Sequence, residues 1–393
     1  MFSKLLADQF FRLLDNIPNG QFEVECPDGQ IRLLGQGNSE AGTAKLSIHD
    51  WSMIPIMMRK GDIGLTEAYR DGLWSTPDLT KVLVTGMQGA DSIRGLVRGG
   101  FLTRAASRMK YLMRTNSIKG SRKNIQAHYD LGNDFYQLWL DSSMTYSSAI
   151  FDSNANALSG NERLNLAQLN KYDRILDQLD KQSGSLLEVG CGWGGFADRA
   201  LETRGFGYKG ITLSEEQKSF ADSRLGDTKK VQLQDYRHQS GLYDNIVSIE
   251  MFEAVGESFW PVYFEKLKSL LTSKGSAVVQ TITIRDESFE AYRLRGDMFR
   301  TFIFPGGMLP SKTRFKEEAN RAGLQIADCF DFGQDYATTV QLWLNNFESR
   351  LDEITALGFD NAFIRVWRFY LAACIAGFVS ENTSVMQAKL VHA

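Results

Sequence analysis

Apolar residues in the second part of the chain follow two alternating spacings. Between residues 164 and 179 they recur every three or four positions, which predicts an amphipathic helix. Strands that alternate with helices predict an α/β fold with a doubly wound, mostly parallel sheet. Short apolar runs separated by helical patterns predict buried strands at residues 186–189, 208–213, 230–233, 245–249 and 277–282.

The N-terminal part has a different pattern. Two short strand-like runs, at residues 22–24 and 31–34, flank a Pro-Asp-Gly turn and predict a hairpin. Helical patterns follow, so we predict a small α+β domain over residues 1–92, with a role in lipid binding or dimerisation. A linker over residues 93–125 and a catalytic domain over residues 126–393 complete the predicted organisation.

The linker region carries the strongest charge asymmetry in the chain. Residues 92–129 contain no acidic residue, and apolar side chains lie between their basic ones. A solvated linker helix is one interpretation. The other is a surface for anionic phospholipid headgroups, to which each basic residue contributes about 1 kcal/mol. The basic residues are Arg94, Arg98, Arg104, Arg108, Lys110, Arg114, Lys119, Arg122 and Lys123.

Composition narrows the classes of protein further. The net charge of −3 argues against a dedicated nucleic-acid binder. The four cysteines lie far apart, without zinc-site spacing or a disulfide framework, so we predict no metal site and a reducing cytoplasm. The uncharged apolar run at residues 369–379 is shorter than the roughly 20 residues that span a bilayer. We therefore predict a cytoplasmic protein, peripherally associated with the inner membrane face.

A glycine-rich turn follows the first strand of the predicted sheet. Gly190, Gly192 and Gly195 satisfy the pattern G-x-G-x-x-G, which on its own fits a dinucleotide. Glu188 lies on the strand just before the turn, where a carboxylate opposes a pyrophosphate but suits a cationic amino group or a sulfonium. The order acid-x-Gly-x-Gly resembles the first motif of class I methyltransferases, which use S-adenosylmethionine (SAM).

The ends of the next two strands supply polar groups of other kinds. The second strand ends in Ile-Thr-Leu-Ser, without an acid for a ribose, so Thr212 and Gln217 are expected to hold the ribose. Asp235 and Tyr236 follow the third strand and are expected to read and stack the adenine. Ligands in such sheets bind beyond the carboxyl ends of the strands.

Five segments together resemble the cyclopropane fatty acid synthase family, which includes the mycolic acid cyclopropane synthases. The resemblance implies a seven-stranded class I methyltransferase fold, SAM as methyl donor, and the cis double bond of an unsaturated fatty acyl chain as acceptor. Residues 61–72 resemble the N-terminal domain of phospholipid-acting members, which implies a phospholipid at a membrane surface. The five segments are residues 128–136 (HYDLGNDFY), 144–149 (MTYSSA), 188–195 (EVGCGWGG), 251–256 (MFEAVG) and 302–310 (FIFPGGMLP).

The resemblance also implies roles for cofactor-binding residues. The positions of Tyr146 and Ser147 close over SAM in the family, and the position of Ile249 lines the adenine site. The cofactor-binding residues predicted from the motifs and the resemblance together are Tyr146, Ser147, Glu188, Gly190, Gly192, Thr212, Leu213, Ser214, Gln217, Asp235, Tyr236 and Ile249.

Chemistry in the family uses a bicarbonate ion beside the reacting carbon. Its holders match Glu253, Tyr336 and Ile282, together with Ser148 and Gln280, which replace the family's Cys and His. Glutamine can hydrogen-bond an anion but cannot carry a proton as histidine can. The position of the base decides which proton leaves, so a cyclopropane and a methyl-branched unsaturated product both stay open. These five residues are the predicted catalytic residues, with Glu253 first.

Two other classes of protein compete with the methyltransferase. The replacements at Ser148 and Gln280 suggest a non-enzymatic lipid-binding protein. The retained glycine turn, Glu253 and Tyr336 argue against it. A nicotinamide oxidoreductase fits the glycine pattern, but Glu188 argues against it. We also expect a homodimer formed by the N-terminal domain, and a partner oxidoreductase that processes a methylated intermediate.

Overall fold

The computed structural model describes residues 2–37, 42–89, 116–118, 120, 121, 124 and 131–393. The basic residues of the linker and His128 lie outside the described residues. The chain forms two compact units, each of them discontinuous in sequence. One unit comprises Met1–Met113, Ala291–Pro305 and Leu351–Glu381, and the other comprises Arg114–Glu290, Gly306–Arg350 and Asn382–Ala393. The prediction of a continuous domain over residues 126–393 therefore differs from the structure, which assigns two stretches of that range to the first unit.

The first unit begins with a small α+β arrangement, as predicted. Its sheet has the strand order β2-β1-β3-β4, in which β1 pairs antiparallel with β2, so the predicted hairpin is present. β1 pairs parallel with β3 on its other side. The elements are α1 (Phe2–Asp15), β1 (Phe22–Glu25), β2 (Ile31–Leu34), β3 (Ala44–Ile48), α2 (Met53–Lys60), α3 (Asp62–Arg70), β4 (Trp74–Ser75) and α4 (Leu79–Gln88).

The rest of the chain alternates helices and strands, as the apolar spacing predicts. The helices are α5 (Asn133–Gln137), α6 (Ser153–Asn156), α7 (Gly160–Gln178), α8 (Gly195–Thr203), α9 (Glu215–Leu225), α10 (Trp260–Leu270), α11 (Asp286–Arg293), α12 (Lys312–Arg321), α13 (Gly333–Ser349), α14 (Leu351–Ala356) and α15 (Asn361–Val379). The strands are β5 (Ser183–Val189), β6 (Gly205–Thr212), β7 (Val231–Leu233), β8 (Tyr243–Ile249), β9 (Leu271–Ile284), β10 (Leu324–Asp331) and β11 (Thr383–His392).

These strands form the seven-stranded sheet of the second unit. Their order is β10-β11-β9-β8-β5-β6-β7, and the neighbours from β9 to β7 are parallel. β11 runs antiparallel to both β9 and β10. The predicted doubly wound, mostly parallel sheet is confirmed. Its central strands are continuous apolar runs because helices cover both faces of such a sheet.

The core beside the central strands explains how α7 and α8 are held. Buried side chains of these helices pack together with side chains of β5, β6, β8 and β9. Because β5, β6 and β8 are parallel, their carboxyl ends meet at one edge of the sheet. Glu188, Thr212 and Ile249 lie at those ends, and the functional site is built there.

Helix α15 corrects the expectation that no segment is long enough to span a membrane. It has 19 residues and is long and apolar enough to span a membrane, yet 61% of its most apolar 18-residue window is buried inside the protein. Within the first unit it packs against α3 and α4. Nε and Nη2 of Arg365 donate to the carbonyl oxygens of Tyr69 (2.5 Å) and Trp74 (3.1 Å). Its apolar surface is thus accounted for by packing.

Candidate active site

A cavity lies at the carboxyl edge of the parallel strands in the second unit. Most of the cofactor-binding residues predicted from the sequence line it, whereas Ser214 and Asp235 do not. The predicted residues in its wall are Tyr146, Ser147, Glu188, Gly190, Gly192, Thr212, Leu213, Gln217, Tyr236 and Ile249.

The glycine turn brings backbone, rather than side chains, to the cavity wall. Gly190 and Gly192 have φ angles of 83° and 51°, a left-handed region that glycine adopts without strain. The N–H groups of Gly190 and Cys191 donate to the carbonyl of Ile211 (2.9 and 3.1 Å) and tie the turn to β6. A Cβ at Gly190 would lie 2.8 Å from Cγ of Met251, whereas a Cβ at Gly192 would meet no atom of the described residues within 4 Å. Position 192 therefore keeps the cavity open.

Glu188 supplies an acid to the cavity wall. It is buried, and one of its oxygens accepts a hydrogen bond from the Tyr208 hydroxyl (2.5 Å). Burial raises the pKa of Glu188 to about 8, against the opposing effects of the Tyr208 hydrogen bond and the charge of Lys171. A carboxyl group poised in this way ionises when a cation enters the cavity, which suits a sulfonium or an amino group.

Ser214 and Asp235 shape turns beside the cavity. Ser214 caps α9, since its hydroxyl accepts from the N–H of Gln217 (3.2 Å), and Thr212 donates to Oε1 of Gln217 (2.8 Å). Both carboxylate oxygens of Asp235 accept from the Arg237 guanidinium, at 2.8 and 2.6 Å. Burial would raise the pKa of Asp235, but these hydrogen bonds outweigh it and hold the pKa below its usual value. Of the polar residues predicted to bind the ribose and the adenine, Thr212, Gln217 and Tyr236 line the cavity.

Three of the predicted catalytic residues converge on a carboxylate that sequence reasoning missed. Glu250 follows β8 directly and lines the cavity. Its Oε1 accepts from the N–H of Ser148 (2.9 Å) and from Nε2 of Gln280 (2.8 Å). Its Oε2 accepts from the hydroxyl of Tyr336 (2.5 Å). Tyr336, Gln280 and Ser148 match bicarbonate holders of the family, and here they hold a side chain of the protein.

The site therefore does not fit a bicarbonate ion as the resemblance implied. The donors that would bind the ion already hydrogen-bond to Glu250. A second anion beside that carboxylate would also meet like-charge repulsion. One feature of the sequence could have identified Glu250: it is an acid that directly follows a strand at the ligand-binding edge of the sheet.

Glu253 and Ile282 form a neighbouring pair. Oε1 of Glu253 accepts from the N–H of Ile282 (2.5 Å) and from the hydroxyl of Thr281 (3.0 Å). Its Oε2 is buried without a hydrogen-bond partner among the described residues. Burial, and next the charge of Glu250, raise the pKa of Glu253. Glu253 is absent from the residues that line the cavity, so Glu250 is the carboxylate in contact with it.

The orientation of Gln280 is fixed by residues remote in sequence. Nη1 of Arg174 donates to Oε1 of Gln387 (2.9 Å), and Nε2 of Gln387 donates to Oε1 of Gln280 (3.0 Å). The amide nitrogen of Gln280 is thereby directed at Glu250. Gln387 carries no motif, because its role arises only from the pairing of β11 with β9.

Comparison with known proteins identifies the family. Residues 116–388 match the model of the mycolic acid cyclopropane synthetase family. The chain belongs to this family. Within the family, the crystal structure of a mycolic acid cyclopropane synthase with S-adenosylhomocysteine (SAH) and CTAB has 31% identity and a TM-score of 0.63. The match covers 68% of this chain and 97% of that one.

Two curated relatives extend the match into the N-terminal part. The tuberculostearic acid methyltransferase of Mycobacterium tuberculosis is 38% identical over 344 residues, 85% of this chain and 80% of its own. The cyclopropane-fatty-acyl-phospholipid synthase of Escherichia coli is 30% identical over 385 residues, 93% of this chain and 94% of its own. The protein is accordingly a SAM-dependent methyltransferase, and its reaction class is methylation or cyclopropanation of lipid acyl chains.

Proposed function

We propose that the protein methylates the cis double bond of an unsaturated fatty acyl chain in a membrane phospholipid, and that the product is a methyl-branched unsaturated chain. The observation that carries this proposal is the carboxylate of Glu250, held by Ser148, Gln280 and Tyr336 at the cavity wall. Glu250 then serves as the anion and base of the reaction.

The residues divide the chemistry among them. SAM supplies an electrophilic methyl group when bound, which an alkene needs because it is a weak nucleophile. The acyl chain gains a C–C bond and a positive charge, and the preorganised Glu250 carboxylate stabilises that charge. An ionised carboxylate has about four acceptor sites, of which the described residues use three. The remaining site, on Oε2, takes the proton that the chain loses.

Two observations favour a branched product over a ring. The proton acceptor is tethered to the backbone after β8, and Gln280 beside it cannot pass a proton on as a histidine can. The relative at 38% identity is named a tuberculostearic acid methyltransferase, whereas the cyclopropane synthase is 30% identical.

Mass spectrometry of lipids tests the proposal. The protein is incubated with methyl-labelled SAM and vesicles of an unsaturated phospholipid, and we expect labelled acyl chains that are heavier by one CH₂ group. A ring and a methyl-branched alkene have the same mass, so the lipids are then hydrogenated. A branched alkene takes up hydrogen and a cyclopropane does not under mild conditions. A product that resists hydrogenation contradicts the branch, and unlabelled lipid contradicts the acceptor.

Chemical rescue tests the role of Glu250. Its φ angle of 49° suits glycine, so Glu250→Gly removes the carboxylate without straining the backbone. Tyr336, Gln280 and the N–H of Ser148 would then surround an empty anion site. We expect Glu250→Gly to lose turnover and to regain part of it when bicarbonate or formate is added. Rescue by neither anion, or full activity without them, contradicts the assignment of Glu250.

We further propose that the protein works at the inner membrane face in the cytoplasm, as a homodimer, with a partner reductase that saturates the branched alkene. The basic linker supports the membrane contact. Neutralising Arg104, Arg108 and Lys110 is expected to weaken binding to anionic vesicles at low salt. A matched control neutralises the exposed Lys229, Lys274 and Lys316. Equal binding by both triple variants contradicts a specific role for the linker.

A further inference from the structure

A buried lysine lies behind the cavity wall, and the proposed reaction does not use it. Lys171, on α7, is fully buried, and its Nζ donates to the hydroxyl of Ser147 (2.7 Å). Ser147 lines the cavity. Lysine is seldom buried completely unless it is paired, so a cation at this point requires an explanation.

The charges around Lys171 come from separate elements. Glu250 follows β8, Glu188 lies on β5, and Asp141 precedes the loop of residues 144–149. Burial lowers the pKa of Lys171, and these carboxyl groups oppose the decrease, Glu250 most strongly.

The same interaction acts in reverse on Glu250. Burial raises the pKa of Glu250, whereas its hydrogen bonds and the charge of Lys171 lower it. Among the described residues, the hydrogen-bond donors to Glu250 are a hydroxyl, an amide and a backbone N–H, all of them neutral dipoles. The carboxyl group of Glu253 lies close enough to interact unfavourably with Glu250. Lys171 is also connected to Glu250 through the chain, because it donates to Ser147 and the N–H of the next residue, Ser148, donates to Glu250. Its positive charge therefore offsets the surrounding acids.

We propose that Lys171 is a positioning residue: its ammonium group holds Ser147 in the cavity wall and keeps the Glu250 carboxylate charged and ready to accept a proton. This inference rests on the proposed role of Glu250 as the base. An uncompensated buried carboxylate would take up a proton, and a protonated Glu250 has no acceptor site for the proton of the acyl chain.

The pH dependence of methyl transfer tests the charge separately from the hydrogen bond. Lys171→Gln keeps a donor for Ser147 but removes the charge, and Lys171→Arg keeps the charge. We expect the acidic limb of the kcat profile of Lys171→Gln to move upward by about one pH unit. Turnover at pH values below the limb then falls by up to about tenfold, and it recovers at higher pH. Lys171→Arg is expected to restore the position of the limb.

A third variant isolates the contact with Ser147. Ser147→Ala is expected to raise the KM for SAM while the acidic limb stays in place, since it leaves the charge of Lys171 intact. A loss of turnover in Lys171→Gln that is equal at every pH would overturn the proposal, because a packing defect has no reason to follow pH.

Two controls separate this inference from the proposed function and from misfolding. Glu250→Gln is measured in the same series. Full activity of Glu250→Gln overturns the proposed role of Glu250 as the base, whereas an inactive Glu250→Gln beside a pH-independent Lys171→Gln overturns only the role of Lys171. If Lys171→Gln does not fold, the double variant with Glu250→Gln removes both charges and is expected to recover folding. A double variant that does not fold would also overturn the proposed interaction between Lys171 and Glu250.

Discussion

At the scale of single residues, Glu250 combines a rare backbone conformation with a side chain that is held by three hydrogen bonds. Its φ of 49° lies in the left-handed region, which non-glycine residues rarely adopt. Such conformations persist where surrounding contacts hold them, and they cluster at functional sites. Here those contacts come from Ser148, Gln280 and Tyr336, which the fold brings from three distant parts of the sequence.

Replacing Glu250 by glutamine is expected to separate binding from chemistry. Glu250→Gln keeps the size of the side chain but removes the base, so turnover should fall by about 100-fold or more. Binding of SAH, measured by calorimetry, should change little because the glycine turn is untouched. Glu287→Gln, at an exposed position on α11, is the control and should retain full activity. Unreduced turnover in Glu250→Gln would assign the base to another residue.

Glu188 is expected to couple SAM binding to proton release. With a pKa of about 8, the carboxyl group is mostly protonated at pH 7 in the free protein. A cation in the cavity favours the ionised form, so binding at pH 7 should release close to one proton, and affinity should rise between about pH 6 and 8. Calorimetry in two buffers of different ionisation enthalpy counts the protons.

The matched variant is Glu188→Gln, which cannot ionise. It should bind SAM more weakly and release no proton. If the wild-type protein also binds without releasing a proton, Glu188 does not face a cationic group of the ligand.

Local signals in the sequence identified part of this site. The glycine turn and Glu188 lie within one short segment, so pattern and chemistry could be interpreted together. Glu250 gave a weaker signal, because its partners are separated from it by 102, 86 and 30 residues. Lys171 and Gln387 gave none, since their function depends on which strands and helices become neighbours.

At the scale of elements, replacing the two glycines of the turn is expected to have different effects: one replacement lowers stability and the other blocks ligand binding. Gly190→Ala places a Cβ 2.8 Å from Met251 at a φ of 83°, so it should lower the free energy of unfolding by about 1–3 kcal/mol. Gly192→Leu adopts a φ of 51°, which costs about 1–2 kcal/mol, but its Cβ meets no atom of the described residues within 4 Å. It should therefore still fold, fill the cavity and abolish SAH binding.

Thermal unfolding and calorimetry on both variants distinguish the two outcomes. Unchanged SAH affinity in a folded Gly192→Leu would refute the assignment of the glycine turn to the cofactor. A stable Gly190→Ala would show that Met251 moves without cost.

The predictability of the strands follows from their position in the sheet. β5, β6, β8 and β9 are central strands, and their continuous apolar runs are visible in the sequence. β11 is also central, but it carries Gln387 and Lys389 among its apolar residues, which breaks the run. The polar Gln387 is tolerated there because it hydrogen-bonds to Gln280.

At the scale of the whole molecule, chain order and compact units do not coincide. The first unit contains the beginning of the chain and also α15, which lies near its end. Sequence patterns report local periodicity, so they could not show that α15 packs on α3 and α4 rather than on its neighbours in the chain. The sequence predicted one boundary near residue 126, whereas the chain passes between the two units several times.

Arg365 is expected to be important for the stability of the first unit. Its guanidinium donates to two carbonyls and lies 4.0 Å from the ring centre of Tyr69. Arg365→Ala leaves those acceptors unpaired and should lower the free energy of unfolding by about 1.5–3 kcal/mol. Limited proteolysis should detect earlier cleavage within residues 2–89, with the exposed Arg12→Ala as control. Equal protection in both variants would show that α15 is held by its apolar contacts alone.

The resident carboxylate at position 250 also bears on what the cell must provide. A catalyst that borrows its anion from solution depends on dissolved carbon dioxide, and acidic or degassed surroundings deprive it of that anion. The Glu250 carboxylate is part of the protein, so it is present under any conditions in which the chain is folded. We therefore expect the reaction of this protein not to depend on dissolved carbon dioxide, so its rate should be the same in sparged and in air-equilibrated buffer.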